Sequence, residues 1–164
     1  MQPLSSNQKT LWLAYQLAPK SSAYNVYTTT RISGKVNFRV WQDSWQALVE
    51  KHPTLRATYQ LKDTQVFQVL DTSLSIEIDL QYVDVSQFEE KEIQQKILEA
   101  ANHPFDLENS PAFRIYLFEQ SSQEYIQLVV IHEILGELRS LLILLSEFFN
   151  LYAKSSVKNC LLVS

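Results

Sequence analysis

The sequence predicts a fold of mixed α and β class, and three observations predict it. Segments of helical period alternate with runs of Val, Ile, Tyr, Phe and Thr at strand length. The 164 residues amount to about one domain. Apolar residues at 46% against charged residues at 20% describe a chain with enough apolar surface to form a packed core.

Taken in order, Leu4-Ser5-Ser6-Asn7-Gln8 supplies helix-capping residues ahead of an apolar stripe at Leu11, Trp12, Tyr15 and Leu17, and Pro19 ends that helix. Tyr24 to Ile32 has strand composition and stops at Ser33-Gly34. Asn37 caps a second helix whose buried face is Val40, Trp41, Trp45, Leu48 and Val49, closed by Pro53. Strands follow over Leu55 to Leu61 and Gln65 to Leu70 around the turn Lys62-Asp63-Thr64. Ile76, Ile78 and Leu80 alternate with Glu77, Asp79 and Gln81, the pattern of a strand with one wet face.

Ser86-Gln87-Phe88-Glu89 reads as a capping box, opening a helix to about Ala101 with a stripe of Phe88, Ile93, Ile97, Leu98 and Ala101. After an irregular stretch from His103 to Pro111, strands are expected over Ala112 to Phe118 and Tyr125 to Ile131, the latter apolar enough to be central. A last helix is expected from about Glu137 to Tyr152. Its apolar residues surround most of its circumference, which predicts burial on more than one side, while Arg139, Ser140, Ser146, Glu147 and Asn150 make it too polar to span a bilayer.

Composition excludes several classes of function. The formal charge of −4 leaves no basic surplus for a nucleic-acid backbone. Two glycines, Gly34 and Gly136, cannot build a phosphate loop or a dinucleotide fingerprint, so no cofactor is expected. One cysteine, Cys160, rules out an internal disulfide and a multi-cysteine metal site. The three histidines, His52, His103 and His132, are not spaced as ligands, and no metal is expected. No secretory signal opens the chain, which makes the cytoplasm the expected compartment.

Chemistry concentrates at one turn. His132-Glu133 follows the central strand and precedes the last helix, with Gly136-Glu137 close behind. A histidine and a carboxylate there could act as base and orienting group. The alternative is that His132 bonds the turn and Glu137 serves the helix N-terminus. Arg56, in an apolar strand context, needs a carboxylate partner if buried.

Four segments in order carry a resemblance. Leu4-Ser5-Ser6-Asn7-Gln8-Lys9-Thr10-Leu11-Trp12 resembles an opening motif of the condensation domains of nonribosomal peptide synthetases. Leu48 to Tyr59 resembles the second motif, R-H-E-x-L-R-T-x-F, with Lys51 for Arg, Pro53 for Glu and Tyr59 for Phe. His103-Pro104-Phe105-Asp106-Leu107 and Ser110-Pro111-Ala112-Phe113-Arg114 resemble P-F-D-L and P-L-x-R. His132-Glu133-Ile134-Leu135-Gly136-Glu137-Leu138 aligns with H-H-x-x-x-D-G; the first His is kept, the second is Glu133, Asp becomes Glu137 and Gly becomes Leu138.

The resemblance implies a single chloramphenicol-acetyltransferase-like lobe, α+β, with a mixed, mostly antiparallel sheet and packed helices. It places this lobe over residues 1–153, leaving 154–164 as a tail or linker. It implies a structural ion pair between Arg56 and Glu137. It also implies a vestigial catalytic motif at His132, Glu133 and Glu137, because the family's second His serves acyl transfer and a carboxylate near pKa 4.3 is a poor base at neutral pH. Two lobes enclose the family's reaction channel, and this chain resembles the first alone.

The expected function is therefore a non-catalytic docking or structural element of a peptide or hybrid polyketide–peptide assembly line. Its expected partners are a carrier protein, a synthetase module, a tailoring enzyme or a second copy in a homodimer, with neither nucleic acid nor membrane. Leu138, Leu142, Leu145 and Phe149 form its expected interaction surface. The alternative is half of a split or longer condensation enzyme that forms amide bonds from carrier-bound thioesters, with Glu133 or His132 as base.

Overall fold

Short-range chemistry sets most helix boundaries in the computed structural model, which describes residues 1–70 and 79–161, the last five of these by backbone alone. Helix α1 (Ser6–Leu17) starts with a reciprocal capping box: Ser5 Oγ accepts from the Gln8 N–H at 3.3 Å and Gln8 Oε1 accepts from the Ser5 N–H at 3.0 Å. Its stripe is narrower than expected. Leu11 and Trp12 are buried, whereas Leu17, in the last turn, is 80% exposed. Helix α2 (Phe38–Lys51) is capped by Asn37 Oδ1, which accepts from the Val40 N–H, and buries all five expected residues. Pro53 follows, but it starts a 3-10 turn over Pro53–Arg56 rather than a strand. The extended chain therefore begins at Ala57, two residues later than the apolar pattern predicts.

Helix α3 (Glu90–Ala101) is capped at Glu89, whose N–H donates to Glu92 Oε2 at 2.9 Å. Ser86 instead donates its N–H to Asp84 Oδ1 in a turn of its own, which displaces the expected box by three residues. Phe88 and Leu98 consequently fall outside the buried stripe at 40% and 48% exposure, and Lys96 covers the Phe88 ring. Helix α4 (Leu138–Leu161) continues well beyond Tyr152, so residues expected as a tail are helical as far as Leu161. Ile76 and Ile78 lie outside the described residues.

The strands form two sheets among the described residues. The smaller is antiparallel, in the order β1 (Gln2–Pro3), β4 (Gln65–Leu70), β3 (Ala57–Lys62). The hairpin between β3 and β4 turns at Asp63, whose φ of 56° is a left-handed conformation that aspartate tolerates. The larger is mixed, in the order β2 (Asn25–Ser33), β7 (Glu124–His132), β6 (Phe113–Ser121), β5 (Leu80–Asp84); only β5 and β6 run parallel. The mixed, mostly antiparallel architecture with packed helices is as the sequence predicts.

The larger sheet is the middle of a three-layer arrangement. On one face Tyr116 and Phe118 of β6 meet Ile93 and Ile97 of α3 and Trp12 of α1. On the other, Phe113, Ile115 and Leu117 meet Trp45 of α2 and Leu145 and Phe148 of α4. Trp45 and Phe148 stack with centroids 4.2 Å apart, fixing α2 against α4. Helix α4 is buried on one side only: Leu141, Leu144, Leu145 and Phe148 face the core, while Leu138, Leu142 and Ile143 are 50–55% exposed. The expectation of burial on several sides is not met within this lobe, because no element covers its outer face among the described residues.

Candidate functional site

The motif turn is built by the end of the central strand. The His132 N–H donates to Ala112 O at 3.0 Å and the Glu133 N–H to Tyr24 O at 2.8 Å, which carries the sheet one step past β7 on both sides. The Leu135 N–H then donates back to His132 O at 2.9 Å, closing a tight turn ahead of α4. Space at Gly136 is tight. A Cβ at this position would stand 3.0 Å from Ser140 Cβ and 3.1 Å from Ser140 Oγ.

His132 is 4% exposed, and its Nδ1 accepts from the Ile134 N–H at 3.1 Å. Its ring lies between Tyr24 and an edge-on Phe105. Burial lowers its pKa to about 4, so at neutral pH the ring is uncharged with its proton on Nε2. Of the two roles open to His132 in the sequence, the geometry supplies the turn-bonding one. Two distant side chains hold the next peptide: Gln8 Nε2 and Tyr59 OH both donate to Ile134 O, at 3.1 and 3.5 Å. Tyr59 is fully buried, which raises its pKa and keeps it a donor. These two residues connect α1 and β3 to the motif turn. The signals for them were the opening-motif glutamine and an aromatic in the strand after Arg56.

Glu133 is half-buried beside His132, while Glu137 is exposed at the head of α4, where its carbonyl accepts from the Leu141 N–H at 3.2 Å. The expected Arg56–Glu137 ion pair is not formed. Arg56 is buried in the 3-10 turn and Glu137 points out from another element; among the described residues the ion pairs are Arg31–Glu90, Lys51–Glu147 and His52–Glu147. Glu147 receives Lys51 Nζ at 2.8 Å and His52 Nε2 at 2.9 Å, and these bonds lower its pKa while joining the end of α2 to the middle of α4. The expected interaction surface is also divided. Leu138 and Leu142 are exposed, Phe149 is half-buried against the core, and Leu145 is 7% exposed because it faces Trp45 and its neighbours rather than solvent. Ile143, at 55% exposure, belongs to the outward face instead.

Two further buried polar side chains shape the surroundings, and sequence reasoning did not single them out as site residues. Gln127 Oε1 accepts from both the Trp41 and Trp45 indoles, at 2.7 and 3.2 Å, inside the α2 face of the core. The Arg114 guanidinium lies 3.8 Å over the Phe105 ring and gives Nη2 to His103 O and Pro104 O, at 2.7 and 3.1 Å. Each is a polar residue within an apolar strand, and that interruption is the signal that could have found them. A cleft of about 450 Å³ opens beside Arg114 and Arg56 at the start of β6, and a smaller one of about 150 Å³ lies between Leu135, Ser140 and Glu147. Among the described residues no group of three His, Cys, Asp or Glu is placed to hold a metal, and no helix is long and apolar enough to cross a membrane.

Comparison with known proteins matches this arrangement. The starter condensation domain of rhizomide synthetase RzmA superposes with a TM-score of 0.83 at 22% identity, over 92% of this chain and 37% of that one. The X-domain in its complex with OxyB, from teicoplanin biosynthesis, superposes with a TM-score of 0.81 at 18% identity, over 94% of this chain and 33% of that one. Chondramide synthase cmdD of Chondromyces crocatus is 32% identical over 158 residues, which are 94% of this chain and 4% of the synthase. The chain thus spans a small fraction of the curated relatives it matches. The family model described as Condensation domain covers residues 1–161, so the chain belongs to the condensation domain family of nonribosomal peptide synthetases.

Proposed function

We propose that this chain is a non-catalytic condensation-type lobe that serves a peptide or hybrid polyketide–peptide assembly line as a docking or structural element. One observation carries the reading. The only imidazole in the motif turn, His132, is buried, neutral and bonded through Nδ1 to the turn itself, and the neighbouring position that the family uses for acyl transfer is Glu133. A carboxylate there replaces an imidazole, the side chain whose ordinary proton exchange suits general-base work near neutral pH. The chain spans 37% of the solved condensation domain it matches, and the family's channel lies between two lobes. The outer edge of β2, which pairs with no further strand among the described residues, and the outward face of α4 offer places for a partner. A carrier protein, a synthetase module, a tailoring enzyme or a second copy of the chain are the partner classes this reading admits. The X-domain fold that is seen in complex with OxyB is the precedent for a partner enzyme.

The second reading is the split or longer condensation enzyme. What favours it is the care with which the turn is held: Gln8 and Tyr59 converge on Ile134 O from two other elements. An amide-forming assay separates the two. The chain is supplied with a second condensation lobe and two carrier proteins bearing an acyl thioester and an aminoacyl thioester. The docking reading expects no product from the wild type and product from Glu133→His. Product from the wild type that disappears in Glu133→Ala overturns it in favour of catalysis.

A further inference from the structure

Strand β7 ends at the motif turn and begins beside a different cleft, of about 310 Å³, at the low end of the roughly 300–1,000 Å³ that small-molecule sites occupy. Alternation along β6 points Leu117 and Glu119 to the α2 face of the sheet, and the strand registers set Tyr82 beside Leu117 and Tyr125 beside Glu119. Val36 and Phe38, at the entry to α2, complete the lining. The Phe38 and Tyr82 ring centroids are 5.3 Å apart and the rings are inclined at 73°, so they form two walls that meet nearly at a right angle. Trp41 stacks on Phe38 at 5.6 Å and holds it there. Phe38 is 38% exposed and Tyr82 45%, so a ligand reaches both from solvent.

Glu119 is the one charged residue in this lining. It is half-buried, and among the described residues its carboxylate accepts no hydrogen bond and forms no ion pair. Burial and, after it, the Glu119 charge push the Tyr125 phenol up, so that charge is felt inside the cleft. The Tyr125 hydroxyl is already used, donating to Ser122 O at 3.4 Å. Asp84, in register with Glu119 on β5, adds negative charge at the same end and gives one oxygen to the Ser86 N–H. Lys35 and Arg39, the cations that flank the cleft in the chain, are exposed, and neither pairs with Glu119 or lies over these rings. A half-buried carboxylate without a partner, beside aromatic walls, is a setting that favours a cation.

We propose that this cleft binds a small quaternary ammonium ion, held between the Phe38 and Tyr82 rings with its charge opposite Glu119. Aromatic rings attract a cation through their negative faces and ask no hydrogen bond of it. A primary ammonium brings three N–H donors, and the cleft offers one unengaged carboxylate to receive them. A fully methylated head has no donor to leave unmade, and its methyl groups suit Val36 and Leu117. The site does not depend on the docking reading, because none of its residues belongs to the motif turn or to α4.

The test is a nuclear magnetic resonance titration of the isotope-labelled chain with choline, with ethanolamine, and with the uncharged alcohol that has carbon in place of choline's nitrogen. Choline is expected to give saturable shifts in backbone signals around Phe38, Tyr82 and Glu119, with ethanolamine and the alcohol both weaker. Glu119→Gln, which keeps the shape and removes the charge, is expected to weaken choline by about fivefold or more. Tyr82→Leu, which keeps an apolar wall and removes the ring, is expected to weaken it by about threefold or more, and it decides the matter if the Glu119 variant does not fold. The proposal is overturned by an absence of saturable shifts, by shifts elsewhere on the chain, by either variant folding with wild-type affinity, or by ethanolamine or the alcohol binding as tightly as choline.

Discussion

His132 stands at the end of β7 with Nδ1 bonded to the Ile134 N–H and its ring enclosed by Tyr24 and Phe105, and burial alone lowers its pKa to about 4. The consequence for stability has a definite sign. Between pH 6.5 and about 4 the unfolded chain carries a proton on this ring that the folded chain does not. Stability is therefore complete above pH 6.5 and declines as the pH falls toward 4, by a total of about 3 kcal/mol for that difference. Urea unfolding across this range, compared with His132→Phe, measures it; the substitution is expected to flatten the slope. Gln127 makes a second residue-scale prediction. Its one carbonyl serves two indole N–H groups in a wholly buried place, so Gln127→Leu strands both donors and is expected to cost about 2–4 kcal/mol in equilibrium unfolding. Neither partnership was legible in the sequence. A glutamine in an apolar strand announces that something needs it, but the two tryptophans lie more than eighty residues away in the chain.

At the scale of elements, the sequence was most legible where one stripe or one cap decides the outcome. Helix α2 buries all five residues that its period selects and starts at Asn37 as its side chain predicts. Legibility failed where two local preferences competed. Pro53 turned the head of the expected strand into a 3-10 turn, and Asp84 took the Ser86 N–H, leaving Glu89 to start α3. Between β7 and α4, Gly136 allows the turn to pass Ser140 at contact distance. Gly136→Ala is expected to destabilise the chain by about 1–3 kcal/mol in thermal or urea unfolding, because the new methyl meets a Cβ of the helix rather than the end of a mobile side chain. The Lys51–His52–Glu147 cluster makes a weaker tie between α2 and α4. Its pH dependence also has a sign: a carboxylate whose pKa is lowered contributes above its unfolded value and loses that contribution as the pH falls through the folded one.

For the whole molecule, the outward face of α4 is the property that the single lobe leaves unresolved by packing. Leu138, Leu142 and Ile143 are half exposed on one helix whose other face is anchored by Phe148 in the core. Replacing Leu142 and Ile143 together by Glu is expected to leave the melting temperature nearly unchanged, since neither side chain is buried, and to abolish association with any partner that uses this face. Sedimentation of the chain alone and with a carrier protein checks both halves of that expectation. Equal association by wild type and variant would remove α4 from the docking surface.

The sequence by itself determined the mixture of helices and strands, the order of most elements and the membership of the condensation family. These depend on periodicity, on capping and on residue identity at fixed spacing, all of which are local. Only the tertiary structure decided that His132 is enclosed and neutral, that Arg56 and Glu137 stand apart, that Leu145 faces inward while Ile143 faces out, and that Phe38, Tyr82 and Glu119 share a cleft. Each of these depends on which distant segments meet. Burial, and with it the energy of a proton or a charge, is a property of those meetings rather than of any one stretch of chain.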